Sequence, residues 1–339
     1  MRFSNSIVFA GVLLQLFDVV SAAPPVPAES KLKAEVRVAF TEGPAWHSTG
    51  NVYFSDIANN RIMRRDRNGQ LHVFRNPSGR TNGLLFDHKG RLLCCEGGGA
   101  DSNRRVTRTE LDGTITVLAD NYRGKKLNSP NDLTIDSNGR IYFSDPRYRD
   151  RTGIEQFDQG GREIEGVYRI DGTGKVERVI THEVDRPNGI VVSPGDEFLY
   201  VADNVNDGPK GKNGNRKLWR FNLKTDGSVD LKSRKLMFDW SPDRGPDGMA
   251  IDRDGRLYVA AGFNFPSLPN ETVEKYKAGI YVISPDGKLL QTIPVPIDMI
   301  TNCTFGDDDL KTLYITSGHK LWSIRTNATG HLAWPSVKK

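Results

Sequence analysis

Short apolar segments recur along the chain, and each is followed by a tight turn of Asp, Asn or Gly and then by a second apolar segment. The pattern is clearest in the segments that begin at Gly83, Asp132 and Gly248, where an Asp closes the first apolar segment and Gly-Arg opens the second. Pairs of short apolar segments joined in this way are typical of β-hairpins. No long segment has apolar residues at the spacing of an amphipathic helix, so the chain is predicted to be all-β.

A second hairpin follows the first in the repeats, with turns at Asp171-Gly172, Asp226-Gly227 and Asp286-Gly287. Four strands per repeat, in repeats of roughly 40–60 residues, predict the four-stranded antiparallel blades of a β-propeller. The last repeat is one strand short, and we expect residues 34–40 to supply its outermost strand, so that an N-terminal strand closes the ring. A six-bladed β-propeller is predicted, with blades that start near Glu42, Asn82, Asn131, Asn188, Asp247 and Asn302.

The longer insertions indicate which end of the predicted channel carries a site. Tight turns join the first strand to the second and the third strand to the fourth, so they share one face of the propeller. The insertions 149–166, 205–217 and 263–278 join second strands to third strands and lie on the opposite face, where each first strand also starts. Because functional residues are commonly carried by loops on a rigid scaffold, we expect a site at this mouth.

The N-terminal residues have the pattern of a secretory signal. Residues 1–23 contain an apolar run from Ile7 to Val20 followed by small residues, which predicts a signal peptide and a secreted or periplasmic protein. A membrane anchor is the alternative, but the run is shorter than the ~20 residues that a spanning helix needs, so no membrane partner is expected after cleavage. We expect a Pro-rich tether at 24–31, one propeller domain at 32–326 and a tail at 327–339.

Composition argues against some partners. The 339 residues include 47 Lys and Arg and 42 Asp and Glu, a net charge of +5 without a basic stripe, so no nucleic-acid partner is predicted. Three cysteines are too few for a disulfide framework. Buried, reduced thiols are favoured over a single bond from Cys303 to Cys94 or Cys95. The oligomeric state stays open.

Oxygen-bearing side chains stand just before the innermost strands of four blades. They are Glu42, Asn131, Asn188 and Asp247, in the segments Glu-Gly-Pro, Pro-Asn-Asp, Pro-Asn-Gly and Pro-Asp-Gly. Any one of these segments alone is a good turn sequence. Four in register, two of them acidic, instead predict a site for one hard divalent cation on the channel axis. Calcium is the favoured ion, and magnesium, manganese and zinc stay open.

Two further segments are specific, namely GKKLNSPND at 124–132 and YFSDP at 142–146. With these segments the chain resembles the family of senescence marker protein, gluconolactonase and luciferin-regenerating enzyme, from about Lys31 to Thr326, and it is closest to the bacterial gluconolactonases. The resemblance implies a six-bladed propeller with calcium bound at the four positions above. It also implies a metal-dependent hydrolase that opens a sugar lactone, such as gluconolactone, to the aldonic acid.

The mechanism expected for such a site has the cation polarise the lactone carbonyl while a carboxylate accepts a proton from the attacking water. Asp247 is the candidate catalytic base and Glu42 mainly a ligand, although the sequence does not separate this from a hydroxide on the metal. Asn82 and Asn302 occupy the ring positions that the metal quartet leaves free, so they can bond sugar hydroxyls. Other candidates for substrate contact are Asn128, Asp145, Tyr148, Asp203 and Arg105.

Two departures from the family pattern affect the expected substrate. Ser129 stands where animal members carry an arginine, and Arg147 and Arg149 lie in a segment that reads Pro-Pro-Tyr-Gly in many bacterial gluconolactonases. Either arginine could select a lactone that bears an acidic group.

Two other functions stay open. One is a phosphotriesterase like diisopropyl fluorophosphatase, which has a similar propeller and calcium quartet, although the asparagine-rich mouth favours a hydroxylated substrate. The other is a non-catalytic binding propeller that calcium stabilises, since a fold does not fix a function. The acids at positions 42 and 247 argue against the second reading.

Overall fold

Strands form wherever the apolar segments and tight turns alternate. The computed structural model describes residues 23–99, 101–148, 151–206, 214–266 and 271–332. These residues contain six four-stranded antiparallel sheets and one two-stranded hairpin. The only helical segments among them are two three-residue 3-10 helices, Ile57–Asn59 and Pro194–Asp196. The predicted all-β fold of six antiparallel blades is confirmed.

The strands are numbered along the chain, beginning with β1 (Lys33–Arg37). Blade one contains β2 (Thr41–His47), β3 (Asn51–Asp56), β4 (Arg61–Arg65) and β5 (Leu71–Arg75). Blade two contains β6 (Leu84–Phe86), β7 (Leu92–Glu96), β8 (Arg105–Thr109) and β9 (Ile115–Ala119). The small hairpin follows, with β10 (Asn121–Tyr122) and β11 (Lys125–Lys126).

Blade three contains β12 (Leu133–Ile135), β13 (Ile141–Asp145), β14 (Gly166–Ile170) and β15 (Val176–Ile180). Blade four contains β16 (Pro187–Val192), β17 (Phe198–Asn204), β18 (Arg216–Leu223) and β19 (Val229–Asp239). Blade five contains β20 (Met249–Ile251), β21 (Leu257–Ala261), β22 (Gly279–Ile283) and β23 (Leu289–Pro294). Blade six contains β24 (Ile300–Gly306), β25 (Thr312–Ser317) and β26 (Lys320–Arg325), together with β1.

The ring is closed where the two parts of blade six meet. Each innermost strand contacts that of the next blade, in the order β2, β6, β12, β16, β20, β24 and again β2. β1 is the outermost strand of blade six and pairs antiparallel with β26, from Lys33 opposite Ser323 to Arg37 opposite Lys320. It ends earlier than the predicted segment 34–40, because the Phe40 N–H already donates to Asp56 Oδ1 of blade one (3.0 Å).

A repeated turn explains why Asp and Gly-Arg recur at fixed spacing. In blade three, Asp136 Oδ1 accepts the backbone N–H groups of Asn138 (3.0 Å) and Arg140 (2.9 Å). Its other oxygen, Oδ2, accepts the Arg140 Nε–H at 2.5 Å. Asp87 and Asp252 hold the corresponding turns of blades two and five in the same way. One carboxylate therefore satisfies three donors in each turn.

The innermost strands approach one another closely at the channel, and glycine makes this approach possible. The Gly189 N–H donates to Asp247 O of the next blade at 3.1 Å. A Cβ atom at Gly189 would lie 2.3 Å from that oxygen, and one at Gly248 would lie 2.0 Å from Asn302 Cγ. The glycine in Pro-Asn-Gly and Pro-Asp-Gly is thus required for packing between blades.

Both terminal segments of the described chain pack on the propeller. Val26, in the predicted tether, is buried, and its N–H donates to Gln291 Oε1 (3.0 Å). In the predicted tail, the Asn327 N–H donates to Pro25 O (2.6 Å). His331 and Leu332 line a cavity of about 70 Å³ with inner-strand residues of all six blades. His331 and Leu332 therefore pack against the inner strands, and residues 333–339 lie outside the described chain.

The predicted signal peptide lies outside the described residues, apart from residue 23. Among the described residues no helix is long and apolar enough to cross a membrane. Cys94, Cys95 and Cys303 are buried and unpaired, as the sequence predicted.

The close approach of the inner strands predicts a local effect on stability. Gly189→Ala would push a Cβ against Asp247 O and the Gly248 backbone, so the free energy of unfolding should fall by roughly 1–3 kcal/mol. Urea denaturation measures this change. Gly172→Ala is the matched control, because its Cβ would meet no heavy atom within 4 Å. Equal stability of the two variants would contradict the proposed packing.

Candidate functional site

The residues that open the six blades stand next to one another around the channel mouth. Backbone hydrogen bonds link neighbouring blades at this level, since the Gly83 N–H donates to Asn131 O at 2.7 Å. Each of the six side chains is at most 8% exposed, so the ring is largely desolvated. The ring consists of Glu42, Asn82, Asn131, Asn188, Asp247 and Asn302.

The two acids of the ring interact electrostatically. Burial raises the pKa of Glu42 well above its ordinary value, and the negative charge of Asp247 raises it further. Burial raises the pKa of Asp247 to about 6, against the lowering effects of Arg244 and of a hydrogen bond from Asn188. The fold thus brings Glu42, Asn188 and Asp247 of the predicted quartet within each other's reach.

A third carboxylate, Asp132, follows Asn131 and lies near the same acids. Burial raises the pKa of Asp132 to about 7, while the Leu133 N–H and the Asn302 amide lower it and the charge of Asp247 raises it. Sequence reasoning did not select Asp132 as a site residue. A signal was present, because four of the other blades carry glycine at this position.

Arg244 connects Asp247 to the insertion of blade five. Its Nη2 lies 3.5 Å from Asp247 Oδ2, and its Nη1 lies 3.1 Å from Glu271 Oε1. Its guanidinium carbon lies 5.0 Å from the centre of the Phe263 ring. Because Arg244 is buried, this contact orients Asp247 and offsets part of its negative charge.

Asparagines at the end of the second strand of blade four and just beyond it hold the backbone that precedes Asp247. Asn204 Nδ2 donates to Pro246 O (2.7 Å), and Asn206 Oδ1 accepts the Gly245 N–H (3.0 Å). Both asparagines are buried. No local pattern singles out these two asparagines, because their partners come from a different repeat.

Three buried aspartates at the ends of second strands hold the loops that lead to the ring. Each accepts backbone N–H groups from residues two or three positions before the ring residue of its own blade, at 2.7–3.2 Å. The pairs are Asp56 with Phe40, Asp145 with Asn128 and Ser129, and Asp203 with Asp185 and Arg186. In the sequence these residues share one feature, an Asp that follows Ser or Ala near the end of a second strand. Asp56 has this feature but was not selected from the sequence.

Some predicted substrate contacts make internal hydrogen bonds. The Asn128 side chain is fully buried, and its Nδ2 donates to Ile164 O (2.8 Å) and Asp145 O (3.1 Å). Arg105 lies on β8, where its Nε donates to Glu96 Oε2 at 2.8 Å. No described contact links Arg105 to the ring. Substrate contact by Asn128, Asp145, Asp203 and Arg105 stays a prediction.

The two ring asparagines outside the quartet differ in their contacts. Asn302 Nδ2 donates to Asp132 Oδ2 (3.2 Å), and Asn302 Oδ1 accepts the Cys303 N–H (2.8 Å). Asn82 Oδ1 is buried and has no hydrogen-bond partner among the described residues. A buried acceptor without a donor is unfavourable, so a hydrogen bond from a ligand or a water would stabilise Asn82 Oδ1.

Tyr148 reaches the ring from the insertion of blade three. Its Oη accepts a hydrogen bond from Asn188 Nδ2 at 2.7 Å. Burial and the charge of Asp247 raise the pKa of Tyr148 well above its ordinary value, so the phenol keeps its proton. Its ring packs against Arg186, with the guanidinium carbon 5.3 Å from the ring centre.

Arg147 is buried beside Tyr148 and bonds backbone oxygens. Its Nη1 donates to Asn128 O (3.2 Å) and its Nη2 to Thr152 O (2.9 Å). These contacts hold the loop before Asn131 against the insertion. Arg149, the other arginine considered for an acidic substrate, lies outside the described residues.

The ring residues fit a hard divalent cation. No cluster of three or more His, Cys, Asp or Glu side chains suited to a metal occurs in the described part of the chain. The ring instead offers two carboxylates and amide oxygens, the donors that calcium accepts. A cation would offset the repulsion that raises the pKa of Glu42.

The fold and the ring together define a six-bladed β-propeller with a candidate polar site on its axis. A model of the SMP-30/gluconolactonase/LRE-like region matches residues 40–319, and the chain belongs to this family. The resemblance stated from the sequence is therefore confirmed.

Similar proteins include enzymes that act on lactones. A gluconolactonase from Zymomonas mobilis is 29% identical over 86% of this chain and 80% of its own length. A 6-deoxy-6-sulfogluconolactonase from Pseudomonas putida is 27% identical over 82% of this chain and 83% of its own. The structure of a gluconolactonase from Xanthomonas campestris has a TM-score of 0.71 and 28% identity, covering 91% of this chain and 96% of that one.

The loop-holding role of Asp145 leads to a test. Both of its oxygens accept a backbone N–H, so Asp145→Asn would turn an NH₂ group toward a donor and lower the free energy of unfolding by roughly 1–3 kcal/mol. At Asp171, in a turn of blade three, a single oxygen accepts the N–H groups of Thr173 and Lys175, so Asp171→Asn should be nearly neutral. Urea denaturation compares the two variants, and equal losses would argue against this geometry.

Proposed function

We propose that this protein is a lactonase that opens a sugar lactone, such as gluconolactone, to the aldonic acid with one divalent cation, for which calcium is the preferred ion. The observation that carries the proposal is the buried ring of two carboxylates and four asparagines at the mouth. Membership of a family that includes gluconolactonases supports the reaction class.

The proposed ligands are Glu42, Asn131, Asn188 and Asp247. Two carboxylates with two neutral amide oxygens suit calcium, which accepts six to eight oxygen ligands and fills remaining positions with water or substrate. Amide oxygens are weak ligands for zinc, which prefers nitrogen and sulfur.

The cation, when bound, supplies positive charge that polarises the lactone carbonyl and stabilises the oxyanion. Asp247 is the proposed general base, since it is a ring carboxylate that Arg244 orients and a carboxylate can accept a proton from water. Asp247 takes a proton from the water whose oxygen bonds to the carbonyl carbon. The ring C–O bond then breaks, and the same proton passes to the leaving hydroxyl oxygen.

The polarity of the mouth favours a hydroxylated substrate. Asn82 offers a buried carbonyl oxygen without a partner, which matches a sugar hydroxyl as donor. An organophosphate with apolar substituents brings no such donor, so the phosphotriesterase reading is less favoured.

Hydrolysis of glucono-1,5-lactone tests the proposal directly. With the purified chain in calcium, a pH-stat should record acid release above the spontaneous rate, and chelator should abolish it. Asp247→Asn should lower turnover by roughly 10²–10⁴-fold, because it removes the proposed base. Asp171→Asn changes a residue in the turn between β14 and β15 of blade three. It is the matched control and should retain activity.

Two results would contradict this reading. Full turnover in chelator by metal-free protein would remove the cation from the reaction. A folded, calcium-loaded protein without turnover would exclude gluconolactone, and assays of acidic lactones and then of diisopropyl fluorophosphate would follow.

Cation binding is testable without a substrate. An ion at 100 times its Kd should raise the free energy of unfolding by about 2.7 kcal/mol. We expect calcium to give the largest increase in Tm among calcium, magnesium, manganese and zinc, and Glu42→Gln to reduce it by removing one charged ligand. An undiminished calcium effect in Glu42→Gln would mean that the ion binds elsewhere.

A further inference from the structure

Two clefts meet on the outer wall of the propeller, along β15, the outermost strand of blade three. One cleft of about 810 Å³ lies between the hairpin of β10 and β11 and the start of β19. The other, of about 470 Å³, lies between the same hairpin and residues 154–157. None of the six ring residues lines either cleft. Because both clefts include Tyr122, Arg123 and Arg178, they adjoin and form one path.

Two arginines stand where the clefts meet. The guanidinium carbons of Arg123 and Arg178 lie 5.2 and 5.0 Å from the centre of the Tyr122 ring. Arg178 Nη1 donates to Gln156 Oε1 at 3.3 Å. Arg123 has no hydrogen bond or ion pair with any other described residue. Its five N–H donors are therefore open to solvent or to a ligand.

The backbone at Arg123 is unusual for an arginine. The angle φ is +53° at Arg123 and +75° at Gly124, so the hairpin turns through two residues in the left-handed region. Asn or Gly is preferred at the first of these positions, because other side chains are strained there. No hydrogen bond or ion pair of the Arg123 side chain within the described residues offsets this strain. Strained residues cluster at functional sites, so the strain indicates an external partner for the guanidinium.

The hairpin that carries this arginine is fixed to blade three. Gln156 Nε2 donates to Lys125 O and to Lys126 O, both at 3.0 Å. The Tyr122 ring packs edge-on against Tyr168, with the ring centres 5.3 Å apart. The arginine pair is thus held in place before a ligand binds, which lowers the entropic cost of binding.

The other side chains of the lining suit a sugar. Carboxylates of Asp120 and Glu177 line the first cleft and that of Glu155 lines the second, where they can accept hydrogen bonds from hydroxyls. Phe157 is 47% exposed and adds apolar surface to the second cleft. A nucleic-acid strand carries a phosphate on every residue, so three carboxylates disfavour it. The lining instead favours hydroxylated sugars that also carry a carboxylate, which arginine binds with paired hydrogen bonds.

We propose that the two clefts bind an acidic polysaccharide, with a sugar carboxylate held by Arg123 and Arg178. The ligand is a chain of sugars rather than a single sugar, because the path extends from residues of blade four past the hairpin to the insertion of blade three. This site is separate from the mouth and depends neither on the cation nor on the proposed lactonase reaction.

Calorimetric titration with a short oligogalacturonate tests the proposal, with neutral dextran as the comparison. The unmodified chain should bind the oligogalacturonate and not the dextran. Arg123→Gly should lower the affinity about tenfold or more, because it removes a charged donor while glycine suits the left-handed backbone. Arg178→Gln should lower it as well. Arg253→Ala removes the same charge from the exposed turn between β20 and β21 and should leave the affinity unchanged.

Two results would overturn the site. Absence of oligogalacturonate binding by the folded, unmodified chain is one. The other is an affinity that Arg123→Gly does not lower, or that Arg253→Ala lowers equally, since the ligand would then follow general charge. Asp247→Asn tests the mouth separately, and a loss there with full binding by Arg123→Gly would place the sugar at the ring. Melting curves check that each variant is folded, and Arg123→Gly decides alone if Arg178→Gln unfolds.

Two further titrations test the kind of ligand. Polyuridylate that bound as tightly through the same arginines would assign the clefts to nucleic acid and overturn the sugar. Free galacturonic acid should bind more weakly than the oligomer, because it fills only part of the path. Equal affinities of the free sugar and the oligomer would contradict a polysaccharide site.

Discussion

Glu42 and Asp247 are buried in one small ring, although like charges in a desolvated space repel each other. The repulsion is visible in the pKa of Glu42, which burial and the charge of Asp247 both raise. Arg244 offsets part of the charge from one side. The remaining imbalance means that the surrounding structure must hold the two acids together.

The surrounding structure does this in two layers. Neighbouring inner strands are locked together through backbone hydrogen bonds and glycines such as Gly189, which leave no space for side chains. Behind them, Asp56, Asp145 and Asp203 fix the loops that precede three of the ring residues. The candidate site and these loops therefore lie on one face of the propeller, and the tight hairpin turns lie on the other.

Sequence reasoning recovered the parts of this design that repeat. The hairpin turns held by Asp136 and its counterparts, the six blades and the ring positions all follow from local spacing, which is visible in a single sequence. It could not recover the role of Asp145, because alternation along a strand does not tell whether a carboxylate at its end turns to the mouth or back to its own loop. Arg244 and Asn206 were missed for a related reason, since their partners lie in other repeats or insertions.

The place where the ring closes has a consequence for how the molecule assembles. β1 pairs with β26, and Pro25 accepts a hydrogen bond from Asn327, so the two ends of the described chain meet in one blade. Contacts between such distant segments form late, because the intervening chain must be ordered first. A chain that ended before β26 would lack the partner of β1 and leave β25 as an open edge. Such a shortened chain would present two unpaired strand edges at blade six, so the pairing of the two chain ends also guards the molecule against pairing with a second chain.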